Sequence, residues 1–180
     1  MSSEGVPWKR IFREVAEGRS RALAELYDEA GRRLYGLALW RTGRREDADD
    51  VVQEVFLRIA RRRGQLHRVR DPLSWLLTVT HRAAVDLTRR RRVRAAEPLD
   101  GTVEFLAPAE DPDRAVDAGR ISRHLRHLSA PQREVVYLRH FGDHSFAEIG
   151  AFTGVPTFTA ASRYRRGLAE LKRRMLEDSP

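Results

Sequence analysis

Apolar residues recur at helical spacing through residues 8–93, and this periodicity limits the chain to an all-α fold. No convincing stretch of two-residue alternation, the pattern of a strand, interrupts it. Candidate helices span residues 8–17, 22–43, 46–63 and 72–93, with Gly43 and Gly64 as the expected terminators of the second and third. These four helices are predicted to form a first small domain over residues 8–94.

A change in composition divides the chain after this domain. Pro98, Gly101, Pro108 and Pro112 stand among acidic residues and interrupt any helix between residues 95 and 112. We therefore predict a flexible acidic linker over residues 95–114, followed by a second small helical domain over residues 115–177.

The second domain carries clear helix boundaries. Ser129 and Gln132 mark one helix start, and Ser145 with Glu148 forms a capping-box pattern for a short helix that Gly154 ends. A longer helix follows, so the segment reads as a helix-turn-helix. Its last helix is basic, and an exposed basic helix after such a turn suits the major groove of DNA.

Positive charge is unevenly distributed along the chain, whose 180 residues have a formal net charge of +8 and a pI near 10.8. Residues 61–94 contain eleven arginines against two aspartates, residues 95–117 have a net charge of −6, and residues 157–174 have a net charge of +5. Clustered arginine is typical of nucleic-acid-binding proteins, although a membrane surface would also attract it.

Several other classes of protein are disfavoured. No run approaches the ~18 apolar residues of a membrane span, and no signal-peptide pattern stands at the N-terminus, so a cytoplasmic protein is predicted. The lack of cysteine excludes disulfides and thiolate chemistry. Two histidine pairs, His124 with His127 and His140 with His144, could hold zinc if they met; scattered surface histidines are the alternative. No catalytic motif is present, so we predict no enzyme activity and no cofactor.

The third predicted helix has two distinct faces. One face is apolar and suits a core: Val52, Val55, Phe56 and Ile59. Another face is mainly polar: Asp50, Gln53, Glu54 and Leu57. This polar face is a candidate for recognition of a protein partner, with an ordinary solvated face as the alternative.

The fourth predicted helix and the loop before it also contain polar side chains that are available for outward contact. Such a loop, rich in Arg, Gln and His, could hold an unstacked base. Trp75 is assigned to the core, with a base-stacking platform as the alternative. In the last helix, five residues are predicted to point inward: Ala160, Tyr164, Leu168, Leu171 and Met175. Five others are predicted to point outward: Ser162, Arg163, Arg166, Glu170 and Arg173.

In this order, the features resemble the extracytoplasmic-function (ECF) type of RNA polymerase sigma factor over roughly residues 8–177. Residues 49–56, DDVVQEVF, resemble the family's region 2.2, and residues 75–94 resemble region 2.4. Residues 128–133 and 145–166 resemble region 4. The resemblance implies two small helical domains that bind bacterial core RNA polymerase and promoter DNA, both duplex and melted, with an anti-sigma factor as a further candidate partner.

The resemblance also assigns three sets of site residues. The set implied for core polymerase is Asp49, Asp50, Gln53, Glu54 and Leu57. The set implied for the minus-ten element is Arg63, Gln65, His67, Arg68, Thr78, His81, Arg82, Arg89 and Arg90. The set implied for the minus-thirty-five element is Thr157, Thr159, Ser162, Arg163 and Arg166.

The chain departs from the family pattern at two places. His81-Arg82 stands where the family often has Arg-Asn, and residues 158–163, FTAASR, stand where it usually has Gly-Thr-Val-Lys-Ser-Arg. Base contacts at these positions are therefore expected to differ. A stand-alone helix-turn-helix regulator that binds DNA as a dimer is the alternative function, but it leaves the first domain unexplained. A further hypothesis is that the acidic linker shields the basic surfaces from DNA before polymerase arrives.

Overall fold

The computed structural model describes residues 6–94, 124–140 and 142–177, and all regular elements in these ranges are helical, as predicted. The first domain contains α1 (Trp8–Ala16), α2 (Ala22–Thr42), α3 (Arg45–Arg61), a 3-10 helix (Arg63–Arg68) and α4 (Pro72–Arg94). The second contains α5 (Ala130–His140), α6 (Phe146–Thr153) and α7 (Thr157–Glu177). The predicted acidic linker lies outside the described residues.

Helix α2 forms the centre of the first domain, with α3 and α4 packed against it. Leu26, Leu34 and Leu37 on α2 are fully buried, and each contributes about 2 kcal/mol by leaving water. Helix α1 lies against the 3-10 helix and α4, where Phe12 meets Trp75 edge to face with ring centroids 5.9 Å apart. Trp75 therefore packs on the core, as predicted.

One of the two predicted helix terminators is confirmed and the other is wrong. Gly43 follows α2 in the left-handed conformation, with φ at 80°, and its N–H donates to the carbonyl of Leu39. Helix α3, however, already ends at Arg61, and Gly64 lies within the 3-10 helix. Leu66 in that 3-10 helix is buried in the core. The change from α-helix to 3-10 helix, which brings Leu66 into the core, therefore occurs before Gly64.

The helix-turn-helix of the second domain has the predicted caps. Ser145 Oγ accepts a hydrogen bond from Glu148 N at 3.2 Å, and Glu148 Oε2 accepts one from Ser145 N at 2.7 Å. The hydrogen bonds from Ser145 hold the pKa of the Glu148 carboxyl below its usual value. Gly154 then ends α6 with φ at 71°. At α5, Gln132 Oε1 accepts from Ser129 N at 2.8 Å, which is one half of a capping box.

The inward face of α7 is confirmed near its start and wrong near its end. Ala160 is fully buried, and Tyr164 and Leu171 pack against the core. Met175 is 49% exposed, so the inward position that helical periodicity predicted for it is wrong.

Helices α3 and α4 are joined by a pair between a buried carboxylate and an arginine. Asp47 is 4% exposed, and its Oδ2 accepts a hydrogen bond from Arg91 Nη1 at 2.6 Å. Burial nevertheless raises the pKa of Asp47 above its usual value, against the opposing effects of Arg91 and Arg44. The charged form is therefore less favourable in the folded protein than in the unfolded chain.

Because the folded-state pKa of Asp47 is raised, its contribution to stability is present at low pH and lost as pH rises through that pKa. We expect Asp47→Asn to be neutral at pH 7, or to raise the free energy of unfolding by up to about 1 kcal/mol. That advantage should shrink as pH falls toward the ordinary aspartate pKa of about 4. Urea denaturation of both proteins from pH 4 to 8 measures the difference; a loss of stability at pH 7 that lessens with acidification contradicts the expectation.

Candidate functional surfaces

A groove between α2 and α3 places the predicted polar face of α3 beside apolar side chains. Asp50 and Gln53 are exposed along one wall, and Leu57 is 42% exposed at the same face. The rings of Tyr27 and Phe56 also line the groove and meet edge to face with centroids 5.0 Å apart. Aromatic surface beside polar groups is typical of protein-binding sites. Sequence reasoning missed the α2 wall of this groove.

The other predicted α3 residues have defined electrostatic surroundings. Asp49 is exposed beside the groove. Burial raises the pKa of the nearby Tyr35 phenol, and the charge of Asp49 raises it further. Glu54 Oε1 accepts a hydrogen bond from Arg58 Nε at 2.6 Å, which orients the half-buried Glu54 carboxylate one turn from Asp50.

The 3-10 helix presents a cluster of polar side chains on an anchored turn. Its apolar residue, Leu66, is buried in the core of the first domain. The predicted minus-ten residues around it, Arg63, Gln65, His67 and Arg68, are all exposed. A turn that is fixed at one point and polar elsewhere is suited to hold a nucleotide.

The predicted α4 residues divide into exposed arginines and partly covered groups. Arg82, Arg89 and Arg90 are exposed. Thr78 is half-buried, and its hydroxyl donates to the carbonyl of Ser74 at 2.8 Å. The side chain of His81 is 14% exposed, because its Nδ1 donates to a carboxylate of the second domain.

Helix α7 presents the predicted minus-thirty-five residues along its N-terminal half. Thr157 is exposed, and Thr159 and Arg163 are partly exposed. Ser162 Oγ accepts hydrogen bonds from Arg166 Nη2 at 2.9 Å and from Nε at 3.2 Å. A hydroxyl and a guanidinium therefore stand side by side on the helix that follows the turn, where base edges are read in this motif.

A contact between the domains buries charged groups that sequence reasoning did not single out. Glu134 on α5 is 1% exposed and accepts the hydrogen bond from His81, with Arg41 Nε at 3.8 Å. Arg133 is also buried, and it donates from Nε to the carbonyl of Trp40 at 3.0 Å and from Nη1 to that of Leu128 at 2.6 Å. Burial lowers the pKa of Arg133 to about 10.

Tyr137 completes this contact between α5 and α2. Its hydroxyl donates to the carbonyl of Arg33 at 3.0 Å, and its ring lies 5.6 Å from that of Trp40. Burial raises the pKa of Tyr137 to about 12. The ring rests on Gly36, where an added Cβ would lie 2.6 Å from Tyr137 Cζ. The sequence signal that could have indicated this contact is the pair of charged residues Arg133 and Glu134, which directly precedes two apolar valines.

The predicted histidine pairs do not assemble a metal site in the part of the chain that the structure describes. No three His, Asp or Glu side chains there could hold an ion together. His140 Nε2 instead lies 3.0 Å from the hydroxyl of Tyr164, and the ring of His144 packs edge to face on Phe152. Across the same residues, no helix combines the length and apolarity that crossing a bilayer requires.

The fold has two parts: four helices, of which the fourth is basic, and a helix-turn-helix. This combination is that of a two-domain transcription factor, and family models identify the class of transcription factor. The Sigma-70 region 2 model matches residues 26–94, and the Sigma-70, region 4 model matches residues 118–171. Relatives include the ECF RNA polymerase sigma factor SigK of Mycobacterium tuberculosis (strain ATCC 25618 / H37Rv) and that of Mycobacterium bovis (strain BCG / Pasteur 1173P2). Each is 30% identical over 173 residues, a match covering 90% of this chain and 90% of the relative.

The chain belongs to the ECF family of RNA polymerase sigma factors, and it is a transcription initiation factor. Two solved structures share its fold. CnrH, in complex with the cytosolic domain of CnrY, has a TM-score of 0.66 at 23% identity and covers 96% of this chain and 99% of its own. RpoE, in complex with the anti-sigma factor NepR from Bartonella quintana, has a TM-score of 0.72 at 19% identity and covers 88% and 99%.

Proposed function

We propose that the groove between α2 and α3 is the docking surface for core RNA polymerase. The predicted residues Asp49, Asp50, Gln53, Glu54 and Leu57 would form its α3 wall. The observation that carries this proposal is the combination of an exposed, mainly acidic helix face with the adjoining rings of Tyr27 and Phe56. Polar groups beside aromatic anchors supply specificity and affinity in protein interfaces.

We further propose that the first domain reads and melts the minus-ten element. Trapping an unpaired base in the polar turn favours strand opening, because it offsets the free energy of unstacking. Arg63, Gln65, His67 and Arg68 would contact that base and its backbone, while Arg82, Arg89 and Arg90 bind phosphates. Thr78 and His81 would lie on the same DNA-facing side of α4. Phosphate contacts make the affinity sensitive to salt.

The second domain is proposed to read the minus-thirty-five element in the major groove. Ser162, Arg163 and Arg166 are assigned to base edges, with Thr157 and Thr159 at the start of the helix. The proposed domain limits are 8–94 and 115–177, with a linker over residues 95–114; the family matches, residues 26–94 and 118–171, lie inside the two domains. Joining two DNA readers to one polymerase surface makes the second contact effectively intramolecular, so that weak contacts combine.

This function places the chain in the cytoplasm, where bacterial polymerase transcribes the chromosome. An anti-sigma factor is proposed as its regulatory partner, by analogy with RpoE, whose structure contains the anti-sigma factor NepR. The polymerase performs the nucleotide chemistry, so the chain itself needs no catalytic group.

The test is reconstituted transcription from templates with randomised minus-ten and minus-thirty-five elements. Sigma-free core polymerase plus this chain should yield transcripts enriched in one sequence at each element, and neither component alone should do so. Binding of the chain as a dimer to a palindromic duplex, without any effect on core polymerase, would instead support the stand-alone regulator. Core activity is verified in parallel with an unrelated sigma factor.

A further inference from the structure

We propose that Phe158 is a further specificity-determining residue, which contacts the C5-methyl group of a thymine in the minus-thirty-five element. Phe158 is the second residue of α7, and its side chain is 74% exposed. This inference rests on the proposed placement of α7 in the major groove, where thymine presents its methyl group.

Single exposed apolar residues are common on protein surfaces, but the position of Phe158 distinguishes it from them. Phe146 and Phe152, on the preceding helix, pack into the second domain. Phe158 points away from that core, at the helix end that lies deepest in the groove in this motif. The first turn of α7 contains no acidic residue, so nothing there repels the phosphates on either side.

Helix geometry links Phe158 to two residues already assigned to DNA. Phe158, Ser162 and Arg166 follow at intervals of four residues and lie on one side of α7. Ser162 and Arg166 are hydrogen-bonded to each other, so their positions are coupled. Eight residues of helix rise about 12 Å, which spans at most three to four base pairs at 3.4 Å each. Arginine favours guanine, so the thymine should lie within about four base pairs of a guanine.

The experiment combines selection from a randomised minus-thirty-five element with removal of one methyl group. Wild type, Phe158→Ala and the control Leu176→Ala, which trims another exposed apolar residue of α7, are each tested as holoenzymes with core polymerase. Wild type and the control should select thymine at one position, and Phe158→Ala should lose that preference alone. Replacing this thymine with deoxyuracil should weaken wild-type binding about three- to fivefold and leave Phe158→Ala unaffected.

The outcomes separate this inference from the function on which it rests. If wild type selects bases at other positions but is indifferent to deoxyuracil, Phe158 does not read a methyl group and the inference is overturned. If wild type selects no sequence in this element at all, the assignment of α7 to the minus-thirty-five element fails as well.

Discussion

Replacing Asp50, Gln53 and Glu54 together by alanine should reduce the affinity of the chain for core RNA polymerase by about 100-fold. Two carboxylates and one amide would lose their partners at the centre of the proposed interface, and each such loss costs about 1 to 3 kcal/mol. Their effects need not add fully, because the three side chains are neighbours on one helix. Fluorescence anisotropy of the labelled chain, titrated with sigma-free core polymerase, measures the change.

The matched control removes two acidic residues elsewhere on the first domain. Glu17 and Glu29 are exposed and do not line the groove, so Glu17→Ala/Glu29→Ala changes the net charge by the same amount and should leave the affinity unchanged. Tight binding by the α3 variant would show that core polymerase contacts another surface of the chain, and the sigma-factor function would still stand. An equal loss in both variants would indicate a general charge effect instead of a docking surface.

Substituting Gly150 by valine should disrupt the helix-turn-helix and lower transcription that depends on the minus-thirty-five element more than tenfold. Gly150 is buried in α6, and an added Cβ would lie 2.7 Å from the carbonyl oxygen of Val155 and 3.4 Å from Thr157 N. Both are backbone atoms, so no side chain can rotate to relieve the clash. Forcing α6 away from the start of α7 should destabilise the second domain by about 1 to 3 kcal/mol and displace the reading helix.

Ala151→Val is the control for this prediction, because it adds the same kind of side chain one residue along α6 at an exposed position. Helix propensity disfavours Ala151→Val and favours Gly150→Val, so a greater loss of stability in Gly150→Val would come from the backbone clash. Thermal denaturation and transcription from templates with intact or scrambled minus-thirty-five elements compare the two proteins. Core affinity should be retained by both; full promoter discrimination by Gly150→Val would show that the turn tolerates the clash.

Local signals in the sequence were sufficient for most helices and their caps. The Ser145 and Glu148 capping box and the glycine terminators Gly43 and Gly154 act within one helix turn, so neighbouring residues determine them. The end of α3 was mispredicted because burial of Leu66, a tertiary effect, governs the backbone there. Met175 was assigned inward from periodicity alone, although exposure near a helix end depends on what lies beside it.

The candidate surfaces were predictable to the extent that each lies on a single helix. The α3 wall of the groove followed from its pattern, whereas Tyr27 and the rest of the α2 wall depend on how two helices pack. The bond between His81 and Glu134 joins residues 53 positions apart. Neither the spacing nor the composition of the chain carries information about such a pairing, and a charged residue in a helix is normally expected to face water.

The bond from His81 to Glu134 lies within one chain, so any equilibrium between its joined and separated forms would be the same at every concentration of the protein. Dilution cannot release it, and accumulation cannot strengthen it. A ligand shifts such an equilibrium only by the difference in its affinity for the two forms. A ligand that requires a free His81 would therefore lose the same part of its affinity in every copy of the chain.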